Sequence, residues 1–257
     1  MQELEEVRKN LEKSQQIIDR ARDFLKSRKV SLQSTPSPEK IEQIDPSQHP
    51  LKGNIKKVQI GCGPKNILPD WWNVDIRHFP GIDRVMDVTQ PWPFTEIEYI
   101  YGEHFLEHLT LEGAVNFLRH AWHSSSDRVV LRLSTPALEW VLSTHMHLEE
   151  PNPKIRRAQT FAMNRAFHGW GHQFLYSQAV LTELLENLGW TNLRYCQYGA
   201  SQHPALKNLE RHGKYRLDNG YPSVWIVEAT KTRIFPDISQ YVEGLKTEYI
   251  NTANAEH

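Results

Sequence analysis

The chain has 257 residues, 39% of them hydrophobic, and carries 30 Lys plus Arg against 31 Asp plus Glu. That length can bury one sizeable core, and the balanced charge excludes the electrostatic footprint of a nucleic-acid or membrane-surface binder. Two cysteines, Cys62 and Cys196, exclude a disulfide framework and fit a reducing compartment.

The amino-terminal MQELEEVRKNLEK is charged from the start and has no apolar core of signal-peptide length. No later segment approaches the roughly 20 apolar residues of a membrane span, so a cytoplasmic protein is expected. From Leu4, apolar or small residues recur at alternating spacings of three and four through Val7, Leu11, Ser14, Ile18, Ala21 and Leu25. This heptad seam predicts an amphipathic, coiled-coil-like helix over residues 1–30, suited either to a homodimer or to packing back onto the main domain. The four prolines of SLQSTPSPEKIEQIDPSQHP predict an extended linker over residues 31–54, with the domain boundary near residues 48–55.

Beyond the linker, apolar runs predict strands at residues 57–60, 72–75, 85–88, 97–101, 128–134, 193–198 and 224–229. Helical patterns fall at residues 111–123 and 177–188, the second opening on the cap Ser177 and stopping at Gly189. The alternation predicts an α/β domain over residues 55–232, a parallel-type sheet with helices on both faces, followed by a tail over residues 233–257. Eleven residues, Pro64 and Pro69 among them, separate Gly63 from Asp75. A crossover helix needs about a dozen, so a stunted helix or a loop is expected there.

Chemistry concentrates at predicted strand ends. In VQIGCGPKNILPDWWNVDI a strand delivers Gly61 and Gly63 to a turn, where absent side chains let backbone approach a ligand, and a second strand presents Asp75. Asn66 stands where a dinucleotide fingerprint has its third glycine. Asp87 follows the third run, and Glu103 and His104 follow the fourth. In an open α/β sheet, ligands bind outside the carboxyl ends of the strands. These acids and glycines therefore point to one crevice.

IGCGP, WWNVDI, DVTQPWPF and GEHFLEHL together resemble the class I S-adenosylmethionine-dependent methyltransferases, in particular a small bacterial group with the pattern LGCGP, NVDI, SEHVLEHL. The resemblance runs from about residue 55 to 232 and implies a Rossmann-like sheet binding S-adenosylmethionine. It implies that Gly61, Cys62 and Gly63 line the methionine and ribose part of the cofactor, with Asp75 and Ile76 at the ribose. Asp87 and Val88 would then meet the adenine, and Glu103 and His104 would close the methionine end. Three departures are Gln59 in place of an acid, the missing third glycine, and Ser124-Ser125-Ser126-Asp127 in place of Pro-Gly-Gly.

Methyl transfer needs an aligned acceptor and, for a hydroxyl, a base. The candidates are His172, favoured, with His168 and His108, while Tyr176 is a possible orienting group. Residues 136–173 hold Trp140, Phe161, Phe167, Trp170, His145 and His147, a mixture that suits a sugar, glycan or other small-molecule hydroxyl acceptor. Two other readings stand beside this one. One is a heptad-mediated assembly protein with a methyltransferase-like domain that has lost its cofactor. The other takes His104-Phe105-Leu106-Glu107-His108 as the H-x-x-E-H of inverted zincins; no downstream acid is marked as a third ligand, and no metal site is assigned.

Overall fold

The computed structural model describes residues 55–251. The heptad helix over 1–30, the whole linker over 31–54 and the last residues of the expected tail lie outside the described residues. Seven strands form one sheet: β1 Lys57–Ile60, β2 Trp72–Asp75, β3 Arg84–Val85, β4 Ile97–Glu103, β5 Ser125–Pro136, β6 Trp190–Tyr195 and β7 Val224–Lys231. Their order is β3-β2-β1-β4-β5-β7-β6. The first five pair in parallel, and β7 enters antiparallel between β5 and β6. This is the Rossmann-like α/β sheet expected from the sequence, with antiparallel β7 as its departure from a wholly parallel one.

Among the described residues five α-helices accompany it: α1 Leu111–His123, α2 Leu138–His145, α3 Pro153–His168, α4 Gln178–Asn187 and α5 Ser239–Leu245. Thr110 caps α1 by accepting from the Gly113 amide, and Ser177 caps α4 by accepting from the Val180 amide. The residues expected as a tail thus include α5, whose Tyr241, Val242 and Leu245 pack against the main core. No described helix is long and apolar enough to cross a membrane.

Side chains alternate across each strand, and the two faces differ. One face sends Val58, Ile60, Val74, Ile100, Leu131, Leu133 and Val227 into a large apolar core with Phe117 and Leu118 of α1 and Leu181, Leu184 and Leu185 of α4. The other face holds Tyr101 and Val130 beneath Trp71, from a loop, and Leu206, from the 3-10 turn Pro204–Leu206. Over this cluster the cover comes from the loop between β1 and β2, whose path from Gly63 to Trp72 is too short to fold into a helix, and from the segment around Leu206.

The loop-covered face also buries charge. Arg132 is fully buried, and its guanidinium donates to Glu210 and to Glu228, both equally inaccessible. Burial opposes the Arg132 charge, but the hydrogen bond and field of Glu210, joined by Glu228, outweigh it and raise the pKa further. Removing the cation would leave two carboxylates stranded. Arg132→Met is therefore expected to lose about 3 to 5 kcal/mol of stability, measured by urea unfolding, and adding Glu210→Gln and Glu228→Gln should recover part of that loss.

Candidate active site

The strand order reverses between β1 and β4, and the carboxyl ends of β1, β2, β3 and β4 open around that point. A crevice at such a reversal is where α/β sheets hold ligands. β1 runs into Gly61, whose φ is +61° and where an added Cβ would stand 2.7 Å from Phe105 Cδ2. Only glycine lets the turn pass this ring.

The next link is a hydrogen bond between neighbouring strand ends. The Gly63 amide donates to Asp75 Oδ2 at 3.0 Å, while the amide and Nε of Arg77 donate to Oδ1 at 3.0 and 3.3 Å. Oδ1 has both lone pairs engaged, whereas Oδ2 keeps one, so Asp75 retains acceptor capacity through Oδ2. Asp87 follows β3 and accepts through Oδ1 from the amide and hydroxyl of Thr89, at 2.9 and 2.7 Å. His104 ends β4 with φ +47°, held there by its amide donating to Ser134 O at 2.9 Å.

These ends surround a cavity of about 340 Å³, within the range of small-molecule sites. Of the residues expected from sequence, Gly61, Asp75, Ile76, Asp87, Val88, His104 and His108 line it. Arg77, Met86, Phe105 and Leu109 line it too and were not singled out beforehand. Arg77 and Met86 adjoin a motif residue, and Phe105 and Leu109 stand inside GEHFLEHL without an assigned role. Trp170, weighed only as a pocket aromatic, stands at the rim with 72% of its surface exposed and φ +59°.

Other expected residues fall elsewhere. Gly63 lies behind the lining and serves the cavity through Asp75. The Cys62 thiol is buried, and that burial, with the nearby Asp75 charge, pushes its pKa up to about 12. Glu103 faces a different partner: it accepts at Oε1 from the amides of Arg211 and His212, at 2.6 and 3.0 Å, and at Oε2 from Arg211 Nε at 3.0 Å. Its carboxylate is spent on tethering the loop before β7. His168 is exposed at the end of α3, and Tyr176 is buried with no partner for its hydroxyl.

No family model and no curated protein matches the chain. Solved structures do. The methyltransferase domain of bacterial CtHen1-CN is 15% identical, with 68% of this chain and 90% of that one covered at a TM-score of 0.43. An S-adenosylmethionine-dependent methyltransferase from Archaeoglobus fulgidus is 14% identical, with 70% and 87% covered at 0.42. The mitomycin 7-O-methyltransferase MmcR is 15% identical, with 72% and 51% covered at 0.40. All three are methyltransferases by name.

The histidines form a second feature beside the cavity. Leu106–His108 is a single 3-10 turn, and the amides of Gln173 and Phe174 donate to the Glu107 carbonyl at 2.7 and 3.2 Å. That docking lays His172 against His108, with ring centroids 5.1 Å apart. The H-x-x-E-H stretch therefore does not present its two histidines from one helix as an inverted zincin would. His104 sits in the left-handed region before the turn, and the Glu107 side chain is fully buried.

Burial would raise the Glu103 pKa, but the Arg211 and His212 donors outweigh it and hold the carboxyl below its ordinary range. The tether contributes stability above that ordinary range, and loses it as pH falls through the depressed value. Glu103→Gln is expected to cost about 1 to 3 kcal/mol at neutral pH, with the gap to wild type closing in acid; urea titrations at a series of pH values measure both.

Proposed function

We propose that this chain is an S-adenosylmethionine-dependent methyltransferase acting on a hydroxyl of a sugar, glycan or other small molecule. The observation that carries the reading is the convergence of Gly61, Asp75, Asp87 and His104 from four strand ends on one cavity. Those are the positions to which the sequence resemblance assigns the donor.

The residues present fit that cofactor. Asp75, fixed by the Gly63 amide, offers the remaining lone pair of Oδ2 for a ribose hydroxyl. Ile60, Met86, Val88, Phe105 and Leu109 supply apolar wall for a base, with Asp87 beside them to accept from an exocyclic amine. The cofactor supplies a methyl group on a sulfonium, so the chain has only to align an acceptor oxygen, exclude water and remove one proton. His108 stands at the cavity wall and His172 behind it, which makes His108 the nearer base and His172 its positioning partner. Trp170 at the rim offers a face on which an acceptor ring can stack.

Calorimetry should detect binding of S-adenosylmethionine and of its demethylated product; no heat and no thermal shift at millimolar ligand would sink the reading. Asp75→Ala should weaken that binding by about 1 to 3 kcal/mol. Because alanine also frees the Gly63 amide, Asp75→Asn serves as the paired variant. Unchanged affinity in both would mean that the ribose lies elsewhere.

A further inference from the structure

We infer that Glu107, His108 and His172 form a binding site for a first-row divalent cation at the edge of the cavity. A carboxylate oxygen and one ring nitrogen from each histidine all lie within 4.8 Å of one another. Two independent observations point to a ligand.

The first is the state of Glu107. Its side chain is fully buried, and Thr135 Oγ1 donates to Oε2 at 3.1 Å. Oε1 has no aligned donor: His104 Nδ1 is 2.9 Å away but out of line for a hydrogen bond. A buried carboxylate is costly unless a cation or several donors satisfy it. One oxygen of Glu107 is left asking for a positive partner.

The second is how the histidines are held. His172 Nδ1 is 2.8 Å from the Ala166 carbonyl, and His108 Nδ1 is 3.3 Å from the Gly171 carbonyl. Such contacts favour the tautomer in which Nδ1 carries the proton and Nε2 keeps its lone pair. Metal-ligating histidines are typically oriented in this way. The backbone bonds from Gln173 and Phe174 to Glu107 fix the separation of the two elements.

Two imidazoles and one carboxylate suit zinc, cobalt, iron or manganese rather than calcium, and three protein ligands leave coordination positions open. Metal-to-ligand distances of about 2.0 to 2.2 Å require the donors to draw together. His108 is exposed and can turn inward to do so. With a cation bound, His108 is a ligand and no longer the base: the cation would bind an acceptor hydroxyl and lower its pKa, so that the proton leaves to solvent before the oxygen is methylated. That role rests on the methyl-transfer reading; the site itself does not.

The test uses the full chain without a histidine tag, stripped of metal and titrated with Co²⁺ in the absence of S-adenosylmethionine. One equivalent should bind, with visible d–d absorption, displacement by Zn²⁺ and a rise in the thermal midpoint. His172→Ala and His108→Ala should each weaken Co²⁺ binding by about 100-fold or more. Both replace side chains outside the core, and His172→Asn repeats the measurement with a polar side chain. His104→Gln should keep stoichiometric binding. The proposal is overturned if the wild type binds no Co²⁺, if the His172 variants bind as the wild type does, or if loss of His104 alone abolishes binding. That last pattern would make His104 a ligand itself, in place of the three-residue set. Metal binding without S-adenosylmethionine binding would uphold the site and sink only the methyl-transfer reading.

Discussion

The hydrogen bond from the Gly63 amide to Asp75 Oδ2 is the constraint on which the cavity depends. Two parallel strands must be joined by a connection long enough to return to the starting edge, and here that connection contains no helix. The ends of β1 and β2 are instead tied directly, the glycine turn to the acid. With β1 and β2 also paired from Val58 to Ile60, the Gly61 turn and the Asp75 carboxylate form one unit. Phe105, against which Gly61 packs, then fixes where β4 hands the chain to His104.

The two sheet faces divide the labour of stability and arrangement. The apolar face, with its helices, supplies burial without direction. The loop-covered face supplies specific partners: Arg132 with Glu210 and Glu228, and Glu103 with Arg211 and His212. Glu210 and Arg211 are adjacent in sequence yet serve strands β5 and β4. One stretch of chain therefore pins two neighbouring strands from above, next to the strand end that carries His104.

What could be read in the sequence was local. Short apolar runs overlapped all seven strands, though the run at 85–88 shares only Val85 with β3, and the two prolines after Gly63 announced the missing helix. The acids at strand ends were visible because each sits within two residues of an apolar run. Edges were harder. β6 starts at Trp190 rather than 193 because Asn192, with φ +53°, places a bulge inside a segment whose pattern looks interrupted. The segment 136–173 showed aromatic and basic residues without a clear period, and α2 and α3 there bury only a small cluster around Val141, Ala166 and Leu175. Partnerships at long range were not legible at all. Nothing near Glu103 points to Arg211, and nothing near His108 points to His172, since both depend on backbone hydrogen bonds to loops that carry no periodic signal.

The Glu103 tether also imposes an order of events on a growing polypeptide. Its donors lie 108 and 109 residues downstream. At ribosomal rates of about 5 to 20 residues per second, that carboxylate waits on the order of 5 to 20 seconds after β4 emerges before its partners exist. β1 through β5 can align in that interval, but β6 must wait for β7, which inserts between it and β5. A nascent chain therefore passes through a stage with five of the seven strands, a bare acid at the end of β4 and an open edge on β5. A chaperone that recognises unpaired strand edges would find its opportunity there, before the wall beside His104 closes.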